Sequence, residues 1–102
     1  MSATTDFVAE LYRAANEVRK LTPFERRRLI ERAVATVRDL REQSGKTDGP
    51  SDKGLLSEIA LLAKEVAGVP DQVVSHGLLV AADMIRTLRV ELDAKTRVHR
   101  TE

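Results

Sequence analysis

The sequence contains no cysteine, no tryptophan, two histidines and only three aromatic residues, Phe7, Tyr12 and Phe24, in 102 positions. Each scarcity removes a class of function. Without cysteine there is no disulfide scaffold, no thiolate-bound zinc or iron–sulfur centre and no thiol nucleophile. Three aromatics cannot build a stacking platform for single-stranded nucleic acid. An excess of charge is lacking too. Seventeen Lys+Arg against sixteen Asp+Glu leave a formal +1, too little to call for a polyanionic partner. No stretch approaches the ~18 apolar residues of a membrane span. The first twenty residues carry Asp6, Glu10, Arg13, Glu17, Arg19 and Lys20, where an export signal needs an apolar core. The expectation is cytoplasmic. Arg outnumbers Lys twelve to five among abundant Ala and Val, the look of a bacterial protein from a GC-rich genome.

What is present is helical periodicity almost throughout, in a length that suits a single domain over residues 1–102. A first helix is expected from Thr5 or Asp6 to about Lys20, with Phe7, Leu11, Ala14, Val18 and Leu21 on one stripe. Thr22-Pro23-Phe24-Glu25 restarts the chain. Thr22 suits an N-cap, Pro23 the first helical position, and Glu25 the carboxylate of a capping box. The second helix carries Leu29, Ile30, Ala33, Val37 and Leu40 to about Ser44, with Gly45 as its closing cap. Residues 45–53 then read as a glycine-rich hinge. It contains Gly45-Lys46-Thr47, the tail of a phosphate loop, but Leu40 stands where the loop needs its first glycine and no strand precedes it. A third helix is expected from Lys53 or Gly54 to Ala67, with Leu55, Ile59, Leu62 and Val66 as its stripe and Gly68 closing it. A fourth follows from Pro70 to about Leu92 or beyond on Val74, Leu78, Ala81, Ile85, Leu88 and Leu92. The last ten residues lose the stripe, so 96–102 are expected to fray as a basic tail.

Sliding the chain over itself by 48 residues pairs Glu10 with Glu58, Ala15 with Ala63, Glu17 with Glu65, Val18 with Val66, Ala33 with Ala81, Arg38 with Arg86, Leu40 with Leu88 and Arg41 with Arg89. Apolar matches follow from the shared helical period alone, whereas the charged matches do not, so duplication and chance alignment of two amphipathic pairs both stay open. The expected architecture is all-α. Two helix–Pro–helix units, about 5–44 and 54–95, dock into a four-helix bundle-like domain, because each alone buries only one stripe.

The units differ where they matter for binding. Arg13, Glu31, Arg32 and Glu42 become Leu61, Leu79, Val80 and Val90. Leu61, Leu79 and Val90 fall off the main stripes and Val80 widens one, so the second unit has more apolar surface than one core face requires. That surplus points either to a central place in the fold or to self-association, and a homodimer is the favoured partner arrangement.

Chemistry has little to work with. His76 and His99 are far apart, and Ser75 and His76, as successive helical residues, point about 100° apart and form no nucleophile–base pair. Glu10, Glu17, Glu58 and Glu65 could suggest a carboxylate metal site, but the usual histidine spacing is missing. No enzyme activity, cofactor or metal is expected. The run Arg26, Arg27, Arg28 with Arg32 is the best candidate for a partner or polyanion surface. Glu25, Glu31, Asp39 and Glu42 lie among these arginines, which makes a solvated, self-paired face the plainer reading and a nucleic-acid-associated accessory role the alternative.

The Leu21-Thr22-Pro23 entry into a long helix, a second long helix near the C-terminus and the overall length resemble the TraM antiactivators of quorum sensing. Those are small helical dimers that sequester a transcriptional activator. The resemblance is one of general character and implies a non-enzymatic regulator; the helix preceding the entry departs from it. The expected function is thus a small helical protein–protein interaction or regulatory protein.

Overall fold

A computed structural model describes residues 3–44 and 50–100, and side chains from 4–43 and 54–94. Among these residues there are four α-helices and no strand: α1 (Ala3–Asn16), α2 (Pro23–Ser44), α3 (Pro50–Lys64) and α4 (Asp71–Arg100). A 3-10 turn, Val18–Lys20, joins α1 to α2, and a second, Val66–Gly68, joins α3 to α4. No described helix is long and apolar enough to cross a membrane.

The capping box forms as its residues demand. The Thr22 amide donates to Glu25 Oε1 at 2.8 Å and the Glu25 amide to Thr22 Oγ1 at 3.1 Å, satisfying two of the donors that a helix start leaves open. Several expected boundaries are corrected. α1 starts at Ala3, and both first helices of the units stop before their predicted ends because a 3-10 turn tightens the exit. Gly68 ends such a turn without a positive φ, so it is no left-handed cap. α3 begins at Pro50, which needs no amide partner at a helix start, so the hinge shrinks from 45–53. Gly45 and residues 45–49 lie outside the described residues. α4 continues past Leu92 to Arg100; no Gly or Pro follows Gly77, and Arg89 pairs with Asp93 one turn on at 3.6 Å. Only 101–102 of the expected tail lie outside the described residues.

The 48-residue register recurs in the backbone. Glu17 and Glu65 precede the two 3-10 turns with φ/ψ of −117/29° and −108/13°, and Leu21 and Val69 follow them at −91/138° and −102/137°. The core repeats as well. Leu11 and Ile59, Ala15 and Ala63, Val18 and Val66, Ile30 and Leu78, Ala33 and Ala81, Val34 and Ala82, Val37 and Ile85, and Leu40 and Leu88 are all buried.

The two units pack into each other. The largest interface joins α2 to α4, and the next two join α1 to α4 and α3 to α2, whereas α3 touches its own α4 little. α1 runs antiparallel to α4: the Ser75 hydroxyl donates to the Ala15 carbonyl at 2.8 Å, and the Tyr12 hydroxyl, earlier on α1, donates to Asp83, later on α4, at 2.8 Å. α2 and α4 start side by side, where Arg26 meets Asp71 at 2.8 Å. Each unit therefore opens as a V around the long helix of the other. The result is flat, 51 × 31 × 16 Å.

One expected core face is rotated. In α3 the buried positions are Leu56, Ile59, Ala63 and Val66, while Leu55 is exposed and Leu62 is half-buried. With two adjacent apolar pairs, Leu55-Leu56 and Leu62-Ala63, periodicity permits two faces about 100° apart. Packing against α2 selects the one bearing the small Ala63, and the displaced leucines turn toward α4.

Candidate functional site

That rotation builds an apolar groove of about 200 Å³ between α3 and α4, lined by Leu55, Glu58, Ile59, Leu62, Val73, His76, Gly77 and Val80. Gly77 makes the close approach possible. A Cβ there would sit 2.5 Å from Leu62 Cδ2. Val73 is exposed and Val80 half-buried. Leu61 on α3 and Leu79 on α4 lie outside the groove lining. Leu61 is 53% exposed, Leu79 36% and Val90, further along α4, 61%. The second unit thus keeps its surplus apolar side chains outside: a central place in the fold does not account for Leu61, Leu79 or Val90.

The first unit has a cleft in the same place. It is lined by Glu10, Glu25, Arg28, Leu29 and Arg32, which stand 48 residues before Glu58, Val73, His76, Gly77 and Val80, together with Phe24 and Glu31. Beside it a ring, a guanidinium and a carboxylate stack. Phe7 is buried, the Arg32 guanidinium lies over the Phe7 ring 4.1 Å from its centroid, and Arg32 Nη1 reaches Glu10 Oε1 at 3.5 Å. In the second unit Leu55 replaces Phe7 and Val80 replaces Arg32, so ring and roof are both missing. Glu58, the counterpart of Glu10, has no ion-pair partner among the described residues. Both clefts are open to solvent and differ in chemistry: that of the first unit, about 590 Å³, is lined largely by charged side chains, and that of the second is mainly apolar with a single carboxylate, Glu58, on its rim.

The arginine cluster is not one surface. Arg26, with its side chain 12% exposed, is spent inside the fold: it donates to the Val18 carbonyl at 2.8 Å, to the Leu21 carbonyl at 3.2 Å and to Asp71 at 2.8 Å. It stands at the position of buried Val74 in the other unit. Arg27 pairs with Glu31 at 3.2 Å, and Arg32 forms the roof just described. Arg28 lies over the Phe24 ring, 5.8 Å from its centroid, and no carboxylate among the described residues pairs with it. This leaves one outward cation beside an aromatic ring.

Comparison with protein-family models, with curated proteins and with solved structures finds no match.

Ser75 spends its hydroxyl on Ala15 and is no nucleophile held by His76. His99 and the tail side chains lie outside the described side chains. Among the described residues no group of acidic and histidine side chains could hold a metal ion, and Glu10, Glu17, Glu58 and Glu65 form no cluster. Sequence reasoning found Leu61, Leu79, Val80 and Val90. It missed Leu55, Leu62, Val73 and Gly77, two of which the 48-residue comparison could have flagged, where Glu25 becomes Val73 and Leu29 becomes Gly77.

Proposed function

We propose that this chain is a small, non-enzymatic interaction protein of regulatory or adaptor type that works as a homodimer, and that it arose by duplication of a helix–turn–helix unit. The observation that carries the reading is the contrast between the two clefts. At matched positions the first unit carries charge and lines its cleft with it, while the second has Val80 in an apolar groove and Leu61, Leu79 and Val90 exposed elsewhere on α3 and α4. The repeated 3-10 turns and repeated core support the duplication.

The magnitudes indicate where the binding energy lies. Leu61, Leu79 and Val90 are about half exposed, so covering each contributes about 1 kcal/mol, or about 6 kcal/mol for two copies. Association costs roughly 4–15 kcal/mol in lost freedom. These three residues alone do not hold a dimer, and the groove has to contribute. Light scattering over a concentration series tests the reading: the mass should rise toward that of two chains. Leu79→Glu should shift the series toward monomer, and a wild-type mass of one chain throughout would refute the proposal.

A further inference from the structure

We infer that the groove between α3 and α4 is the socket for Phe24 of a second copy of this chain, with Arg28 of that copy delivered to Glu58. The inference deepens the homodimer reading and rests on it. The first unit supplies the template: beside the matching glutamate, Glu10, a phenyl ring is capped with a guanidinium, Phe7 under Arg32. The second unit retains the glutamate, beside apolar walls, but lacks ring and guanidinium.

The same chain displays the missing pair on its surface. Phe24 is 68% exposed, more than Leu61 or Val90, and Arg28 accompanies its ring. Arg28 and Glu58 are each without an opposite charge among the described residues. An apolar group with a cation therefore faces an apolar socket with an anion. The position in the fold also fits. Phe24 lies in the first turn of α2 and Val73 in the first turn of α4, and the two helices start side by side at Arg26 and Asp71. Ring and socket share one end of the molecule, so a two-fold pairing of two such ends exchanges two rings for two sockets and closes without further growth.

The test is sedimentation equilibrium of the full chain and its variants from about 1 µM to about 1 mM, where modest interfaces dissociate. Phe24→Ser and Val80→Arg should each weaken the dimer by roughly tenfold or more. The second variant works by offering Glu58 an internal guanidinium, as Arg32 does for Glu10. Arg28→Glu and Glu58→Arg should each weaken association, and the two together should recover much of it, because the cycle isolates their coupling. Phe24, Arg28, Glu58 and Val80 lie outside the buried core, so circular dichroism should report folded variants throughout. A dimer indifferent to Phe24→Ser and Val80→Arg but broken by Leu79→Glu overturns the inference and leaves the homodimer reading standing. A chain that is monomeric throughout the range overturns both.

Discussion

Three consecutive arginines open α2, and the structure assigns them unequal worth. Truncating each in turn measures that inequality. Arg26→Ala removes two hydrogen bonds to backbone carbonyls and the bond to Asp71, all partly buried. A hydrogen bond from a charged donor contributes about 1.5–3 kcal/mol when buried, and partial exposure argues for about 1 kcal/mol each for the two carbonyls. Asp71 is 46% exposed in its side chain, so its pair adds at most about 1 kcal/mol. The loss is then about 3 kcal/mol from a domain stability of about 5–15. For a chain of this size that lowers Tm by roughly 10–20 °C. Arg27→Ala removes only an exposed pair one turn apart, worth about 0.3–0.5 kcal/mol. Urea and thermal unfolding, followed by helical circular dichroism at one fixed chain concentration, compare the two. Equal losses for Arg26→Ala and Arg27→Ala would refute the claim that Arg26 pins the first 3-10 turn to α4. So would full rescue by Arg26→Lys, because an ammonium cannot span three acceptors in the guanidinium's fixed fork.

Other expectations follow from the same contacts. Ser75→Ala should cost about 1 kcal/mol in urea melts by removing the partly buried bond to Ala15. Ile85→Ala, at a fully buried position, should cost about 2–5 kcal/mol. Gly77→Leu alone should destabilise by displacing Leu62, whereas Gly77→Leu with Leu62→Ala, which transplants the Ala14 and Leu29 arrangement of the first unit, should regain most of the loss in thermal melts. Random duplex DNA should not bind at low salt in a gel-shift titration, since Arg26 is spent inside the fold and Arg27 and Arg32 are each paired with a carboxylate.

Much of the fold was legible because α2 and α4 each have an uninterrupted apolar stripe and clear start signals. The Thr22–Glu25 box formed as read, and Val74, Leu78, Ala81, Ile85 and Leu88 are buried as spaced. α3 was misread for a physical reason. Its paired leucines allow two faces, and only α2 decides between them. The arginine run fails as a sequence signal for a related reason: Arg26, Arg27 and Arg28 are identical as letters and differ only in what the turn and α4 place beside them. The candidate site was half visible. Exchanged charges marked Leu61, Leu79, Val80 and Val90, but a groove exists only once two helices stand at a given distance, and no single-helix pattern contains that distance.

The interlocking of the two Vs bears on how this molecule comes apart. Since α1 rests on α4 and α3 on α2, neither half retains a covered core when the other leaves. The chain should lose its structure in one cooperative step despite its repetitive plan, with slow amide exchange spread evenly over both halves. Cleaving the connection at 45–49 should then yield two fragments that are disordered apart and regain helicity when mixed, a split protein whose halves recognise each other through the present core.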